Sequence, residues 1–309
     1  GTVNEVINVS KLAITDSLAA HSQDFSATFQ IRIGEEHYTN FSLIIDYIKV
    51  YESPFADGGR TGAVAFNIGD RAFMGLGNNE TIVYSDLWEA DKLGGFSLQK
   101  ADFPGVSRKS AVSFVIDNRA FVGLGIDADG NFLSDFYSYN PDTDQWDEIA
   151  PFGGGERANA VAFSVDGTGI VGTGVNDQDE QADFWKYDPT TDTWVEMSNW
   201  GADKRQGAFA FVIEDKAYVG GGYYFDGFQF QLSDIQEYNP LTDAWTEKIF
   251  ADGINLSVNN AIGFSLYGSG YIAYGSKDNL VKYNPITNEV ENLGDALGFG
   301  GSRNDPVSF

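Results

Sequence analysis

Arginine recurs through this sequence at a regular spacing, and its guanidinium group is well suited to binding anions. Each copy opens a short phrase that ends in phenylalanine, as in "RTGAVAF", "RKSAVSF" and "RANAVAF". The recurring arginines are Arg60, Arg108, Arg157, Arg205 and Arg303. A ring of them could hold the carboxylate or phosphate of a ligand through paired hydrogen bonds. Recurrence in nearly every repeat also fits a structural function, such as pairing with an aspartate of the neighbouring repeat.

A second group of residues with binding chemistry lies where one repeat departs from the others. Its loop, "GGGYYFDGFQFQLSD", is longer than its counterparts and concentrates aromatic side chains. Exposed aromatic rings near polar groups suit stacking on a sugar ring or a peptide, whereas packing onto their own repeat is the structural alternative. The residues predicted to contact a ligand here are Trp200, Tyr223, Tyr224, Phe225 and Asp226, with Phe228 and Phe230 nearby.

Two loops carry alternating acidic and amide residues, a spacing with which oxygen ligands bind calcium. In "DADGN" the candidates are Asp127, Asp129 and Asn131, and the second loop, "NDQDEQAD", covers 176–183. The first loop lacks the distal glutamate of an EF-hand and lies between predicted strands. The pattern therefore favours ordinary polar turns, with calcium as the weaker alternative.

The composition excludes several kinds of catalytic and metal site. The chain has no cysteine, and its two histidines, His21 and His37, lie outside the clear repeats. We therefore expect no thiolate nucleophile, no serine–histidine–aspartate triad on the repeats, and no histidine-based zinc or copper site. Carboxylates, arginine, lysine and tyrosine remain for acid–base chemistry. We predict that the protein carries no cofactor and no metal.

The net charge limits the partners that the protein can take. Lysine and arginine number 19 against 45 aspartates and glutamates, which gives a formal net charge of −26. Phosphate backbones and anionic lipid surfaces would be repelled, so we expect no nucleic acid partner. We expect no direct membrane insertion either, because no apolar run is long enough to cross a bilayer. The expected protein is a monomer that binds a glycan or a protein partner.

These residues recur because the chain repeats one unit. The phenylalanines that close the arginine phrase are Phe66, Phe114, Phe163, Phe211, Phe264 and Phe309. A period of about 50 residues is typical of a propeller. Each unit predicts four short strands separated by turns and by a loop rich in glycine and aspartate. The recurring tryptophans are expected to pack between neighbouring units, and they are Trp146, Trp194 and Trp245.

The phrases "SDFYSYNPDTDQW", "ADFWKYDPTTDTW" and "SDIQEYNPLTDAW" make this sequence resemble the kelch repeat family, over residues 60–309. The resemblance implies an all-β, six-bladed propeller, with seven blades as the alternative. Repeats start near 60, 108, 157, 205, 258 and 303, and the last one has only its first strand. We therefore expect residues 1–24 to be a linker or stalk and 25–309 to be one propeller, closed by strands of both termini in one blade.

The resemblance leaves several functions open. We expect foremost a non-catalytic propeller that binds a glycan or a protein at its axial face. Kelch propellers include the copper enzyme galactose oxidase, whose site this chain cannot build without cysteine. They also include metal-independent sialic acid mutarotases, which need only acid–base residues and whose acidic sugar a ring of arginines could hold. A structural subunit of a surface complex is the third alternative.

The composition and the resemblance together predict an exported protein. Aspartate, asparagine, glycine, threonine and aromatic residues are abundant, while methionine is rare. We expect an extracytoplasmic location, in the periplasm or on the outer cell surface of a bacterium. A lipid anchor attached before the present first residue is one way in which it could be held there.

Overall fold

The computed structural model describes residues 60–79, 81–90, 96–198, 200–248, 258, 260–274 and 279–294. All of these residues fall within one unit, Tyr51–Phe309. The predicted linker and the segments predicted to close the ring lie outside the described residues. Within the described ranges, we find no helix with the length and apolar content needed to span a membrane.

Four-stranded antiparallel sheets follow one another along the chain and form five blades of a β-propeller. Blade 1 contains β1 (Val64–Ile68), β2 (Arg71–Gly75), β3 (Leu87–Ala90) and β4 (Phe96–Gln99). Blade 2 contains β5 (Val112–Ile116), β6 (Arg119–Gly123), β7 (Phe136–Asn140) and β8 (Gln145–Ile149). Blade 3 contains β9 (Val161–Val165), β10 (Thr168–Gly172), β11 (Phe184–Asp188) and β12 (Thr193–Glu196).

Blade 4 differs from the others because a hairpin is inserted between its second and third strands. Its sheet contains β13 (Phe209–Ile213), β14 (Lys216–Gly220), β17 (Ile235–Asn239) and β18 (Ala244–Lys248). The inserted hairpin pairs β15 (Tyr223–Asp226) with β16 (Phe228–Gln231). Blade 5 contains β19 (Ile262–Leu266), β20 (Ser269–Tyr274), β21 (Asn279–Asn284) and β22 (Glu289–Gly294).

The first strand of each blade lies at the centre of the propeller. Contacts join β1 to β5, β5 to β9, β9 to β13 and β13 to β19 in series. The described residues thus form five blades, rather than the six or seven that the sequence predicted. Closure by strands of both termini falls on residues outside the described ranges and stays a prediction.

The core lies between the blades, and it is formed by side chains that alternate between buried and half-buried positions along the strands. In β5, Val112, Phe114 and Ile116 are buried while Ser113 and Val115 are half-buried. This period of two places one row of side chains on each face of the sheet. Phe114 stacks on Phe121 of its own blade, with ring centroids 5.0 Å apart.

The recurring tryptophans join neighbouring blades, as the sequence predicted. Trp194 of blade 3 packs against Phe136 of blade 2, with ring centroids 5.0 Å apart. Its indole N–H donates to the carbonyl oxygen of Ala150, in the segment that joins the two blades, at 3.1 Å. Trp146 makes the equivalent hydrogen bond to Ala101 at 2.9 Å. Trp146 and Trp194 therefore each combine ring packing with one hydrogen bond across a blade junction.

Candidate ligand-binding face

The starts of the innermost strands and the loops between second and third strands lie at the same end of the propeller, which we call the axial face. Short antiparallel bridges connect the two sets of segments in four blades, and they are Thr61 with Asn78, Lys109 with Ile126, Ala158 with Val175, and Gln206 with Tyr223. The arginine phrases and the aromatic loop therefore meet at this face, as the sequence predicted.

A cavity of about 130 Å³ opens at the centre of the axial face. Its rim contains one equivalent residue from each blade, and these are Gly62, Ser110, Asn159, Gly207 and Asn260. All five have a positive φ. The amide of each rim residue in blades 2 to 5 donates to the carbonyl oxygen of the rim residue in the preceding blade, at 2.8–3.3 Å. The backbone groups at the opening are thus paired between blades, and the side chains of Ser110, Asn159 and Asn260 supply neutral hydrogen-bonding groups there.

The four recurring arginines in the described residues point into the protein, where each forms a bidentate pair with an aspartate. Their side chains are 0–6% exposed. The pairs join Arg60 to Asp86, Arg108 to Asp135, Arg157 to Asp183, and Arg205 to Asp234, with N–O distances of 2.6–3.0 Å. Each guanidinium also donates to a backbone carbonyl, at Leu76, Leu124, Thr173 or Gly221.

An aromatic ring covers each of these guanidinium groups. The distances from guanidinium carbon to ring centroid are 3.9 Å at Tyr84, 4.6 Å at Phe103, 4.8 Å at Phe152 and 4.5 Å at Trp200. Burial alone would raise the pKa of Asp183 and of Asp234. The hydrogen bonds and positive charge of Arg157 and Arg205 outweigh it and hold both pKa values below the usual range.

This geometry corrects one detail of the sequence prediction. The aspartate that pairs with each arginine belongs to the same blade, not to the neighbouring one. The pairing joins the start of the first strand to the start of the third, which fixes the loop between the second and third strands. Contact of these arginines with a ligand stays a prediction, and the burial of Arg108, Arg157 and Arg205 counts against it. Arg303 lies outside the described residues.

Trp200 is also buried, at 4% exposure, although the sequence predicted an exposed ring. Its ring packs on Phe184, with centroids 4.9 Å apart, and on Trp245 at 5.6 Å. It covers Arg205 as described above. The side chain thus fills the junction between blades 3 and 4, and a ligand at the surface could not stack on it in this conformation.

The hairpin of blade 4 carries the exposed aromatic rings of the axial face. Phe225 is 52% exposed, Phe228 is 79% exposed and Phe230 is 43% exposed. Tyr223 and Tyr224 are half-buried, and Tyr224 stacks on Phe230 with centroids 5.2 Å apart. The strand register places Tyr224, Phe230, Phe228 and the exposed Asp226 on one side of the hairpin. The two phenylalanines on this side are more exposed than the tyrosines singled out from the sequence.

A polar network that the sequence did not reveal lies beside the opening, between blades 3 and 4. The Asn159 amide donates to Gln206 Oε1 at 3.1 Å, and the Gln206 amide donates to Glu180 Oε1 at 3.0 Å. Glu180 and Gln206 are both buried. Lys204 pairs with Asp179, which raises the pKa of the lysine, and its ammonium lies 3.8 Å from Glu180 Oε2.

One sequence signal could have indicated this network. The residues at the bridge position of Glu180 in blades 1, 2 and 4 are Val83, Phe132 and Gln231. A glutamate at a position that is apolar in two blades departs from the repeat. This difference could be recognised only from the structure, because the β-bridges show which loop positions are equivalent in the different blades.

The candidate calcium loop forms a polar turn in this structure. The carboxylate of Asp127 accepts hydrogen bonds from the backbone amides of Asp129 and Asn131 and from the Asn131 side chain, all at 2.9 Å. These bonds, led by that of the Asn131 side chain, lower the pKa of Asp127. Among the described residues, no three histidine, cysteine, aspartate or glutamate side chains are grouped so as to hold a metal ion. His21 and His37 lie outside those residues.

Comparison with known proteins agrees with the architecture. One solved structure, described as "Structure of YjhT", is 16% identical in sequence, with a TM-score of 0.65, over 80% of this chain and 86% of that one. At this identity the likeness shows the fold alone. No curated protein sequence matches the chain. Residues 97–276, more than half of the chain, match the family described as KLHDC2/KLHL20/DRC7 Kelch-repeats domain, and the protein belongs to that family.

Proposed function

We propose that this propeller is a non-catalytic binding module that takes a glycan at its axial face. The observation that carries the proposal is the aromatic hairpin of blade 4, which exposes phenylalanines at the axial face and whose Tyr223 is bridged to Gln206, next to rim residue Gly207. The opening beside it carries neutral hydrogen-bonding side chains. Sugar hydroxyls pair with amide and hydroxyl groups such as those of Asn159 and Ser110. The apolar faces of sugar rings pack on aromatic rings. A protein partner is the alternative, and the same face would receive it.

The geometry supports modest affinity. One aromatic ring stacked on a sugar contributes roughly 1 kcal/mol, by analogy with aromatic pairs. Two or three such contacts, less the entropy of association, give a dissociation constant in about the millimolar to micromolar range. Exposed phenylalanines on one loop also leave apolar area in water unless a ligand covers it. Among the described residues, only blade 4 has four-residue paired strands in this loop, so the fold itself does not require them.

The double variant Phe228→Ala, Phe230→Ala should lose about tenfold or more in affinity for the glycan, because both rings lie on the same side of the hairpin in the proposed contact. Its melting temperature should stay close to that of the parent, since both side chains are exposed. A glycan array would identify the ligand, and isothermal titration calorimetry would measure the affinity of both proteins.

Tyr267→Ala is the matched control, because Tyr267 is 94% exposed in the turn between β19 and β20, at the opposite end of the propeller. It should bind like the parent. Equal binding by the double variant would show that the hairpin is not the site. Binding to a peptide array without any glycan signal would assign a protein partner. Interconversion of sugar anomers, followed by NMR, would assign the mutarotase alternative.

We also infer that a sixth blade closes the ring, from strands within 25–59 and from 303–309. The support is that the contacts between innermost strands run in series from β1 to β19, with no comparable contact from β19 back to β1 in the described part. A protein ending at residue 302 should therefore melt about 2–4 °C lower, or more, since it leaves a sheet edge unpaired. Differential scanning calorimetry tests this, and an unchanged melting temperature would refute closure by the C-terminal strand. The extracytoplasmic location and the monomeric state stay predictions.

A further inference from the structure

Lys109 is unusual among the cations of this acidic protein. Of the lysines and arginines in the described residues, all but Lys109 and Lys282 have a carboxylate oxygen within 4.0 Å. Lys282 lies within β21, away from the axial face, whereas Lys109 lies at the start of blade 2, beside the axial opening. Lys109 therefore lies beside the proposed binding site without a carboxylate oxygen of the described residues within 4.0 Å of its ammonium group.

Blades 1 and 2 approach each other closely beside Lys109, because the rim residue of blade 1 is a glycine. A Cβ atom added to Gly62 would lie 2.9 Å from the backbone nitrogen of Ser110, 3.1 Å from the Lys109 Cβ and 3.3 Å from the hydroxyl oxygen of Ser110, so only glycine fits there. Gly62 and Ser110 both line the axial cavity. The absence of a side chain at Gly62 thus lets the Ser110 hydroxyl and the base of the Lys109 side chain lie next to Gly62, at the edge of the cavity.

The corresponding junction between blades 3 and 4 is filled by two polar side chains. There the rim residue is Asn159, and the residue equivalent to Lys109 is Gln206. These two uncharged side chains hydrogen-bond to each other and fill the junction. At the junction between blades 1 and 2, the rim side chain is absent and the partner is charged.

We propose that Lys109 and Ser110 form, beside Gly62 at the edge of the axial cavity, a subsite for an anionic group of the ligand, such as a carboxylate, sulfate or phosphate. The inference rests on the proposed binding function of the axial face and names one part of its ligand. An ammonium and a hydroxyl donate charge-assisted hydrogen bonds to such a group. The buried arginines do not serve this purpose, because aspartates neutralise them. The net charge of −26 repels free anions at long range, so the subsite acts only at short distance.

Inorganic sulfate is the probe for this subsite. The protein used is the full chain, in which the lysines carry ¹³C-dimethyl groups; this label keeps their positive charge. The NMR signals of Lys109 and Lys282 are assigned with the variants Lys109→Arg and Lys282→Arg. Sulfate is then titrated at constant ionic strength. The Lys109 signal should shift and saturate, while the Lys282 signal, as the matched unpaired lysine, should shift little and without saturation. Ser110→Ala should weaken the sulfate effect on Lys109 several-fold.

A Lys109 signal that moves no more than that of Lys282 would overturn the proposal.

The second measurement is made on a glycan array that carries oligogalacturonate and its carboxyl-reduced form beside other glycans. It compares the binding of the parent protein with that of Lys109→Met. Acidic glycans should lose about tenfold or more in affinity on this substitution, while neutral ones keep theirs. Loss of both classes alike, or of neither, would count against an anionic subsite. The hairpin variant separates the two hypotheses, because it tests the binding face without touching Lys109.

Discussion

Replacing Arg157 with alanine should lower the free energy of unfolding by about 3–5 kcal/mol, because it breaks a buried ion pair and leaves its partner uncompensated. The Arg157 side chain is fully buried, and Asp183 holds it through two hydrogen bonds of 2.6 and 3.0 Å. The substitution also removes the donor to the Thr173 carbonyl and the cation that covers Phe152. Urea unfolding followed by tryptophan fluorescence measures the change.

Two further variants show whether the pair itself causes the loss. The double variant Arg157→Ala, Asp183→Ala should be less destabilised than the sum of the two single variants, since it leaves no unpaired buried charge. Arg119→Ala removes a pair with Asp147 in which both side chains are largely exposed, at 44% and 65%. That control should cost about 0–1 kcal/mol. A similar cost for Arg119→Ala and Arg157→Ala would mean that the recurring arginines do not stabilise the blades.

The second large effect is expected at Trp194, whose replacement by alanine should cost about 3–5 kcal/mol. The ring packs against Phe136 at 5.0 Å and Phe152 at 4.9 Å, across the junction of blades 2 and 3. Alanine would leave a cavity between the blades and would remove the hydrogen bond to the Ala150 carbonyl. Thermal unfolding followed by calorimetry measures the loss.

Phenylalanine at the same position separates packing from hydrogen bonding. Trp194→Phe keeps an aromatic ring but removes the indole N–H, so it should lose about 1 kcal/mol for the hydrogen bond in addition to any repacking. Trp245 is the matched position in blade 4, and its buried indole N–H has no hydrogen-bond partner in the described structure. Trp245→Phe should therefore cost less than Trp194→Phe. The opposite order would show that the indole hydrogen bond contributes little to the junction.

Much of the fold could be predicted from the sequence, because each repeat keeps the residues that the same packing arrangement requires. The alternating phrase around Phe114 predicts an inner strand, and the recurrence of Trp194 and its counterparts predicts a residue that every junction needs. The number of blades could not be predicted in the same way. Six blades were inferred by counting an incomplete repeat, while the described residues form five, and the closing segments lie outside them.

The location of the candidate site could be predicted from the sequence, but the orientation of some of its side chains could not. The aromatic loop could be located because it departs from the repeat, and the structure exposes Phe225, Phe228 and Phe230 at the axial face. The sequence could not show that Trp200 turns inward to cover Arg205, since an aromatic residue before a strand suits either a surface or a core position. The amino-acid composition could not show the orientation of Trp200 either, because it does not indicate which aromatic rings contact each other.

The sequence by itself determined the repeating four-stranded unit, the face on which the arginine phrases and the long loop meet, and the family of the chain. Only the tertiary structure decided which side chains remain available on that face. Pairing depends on atoms that lie a few ångströms apart but many residues apart along the chain, as in Arg157 with Asp183 and Gln206 with Asn159. Lys109 looks like any other charged residue in the sequence. It becomes a candidate only because the fold sets it beside Gly62 and leaves it without a carboxylate partner.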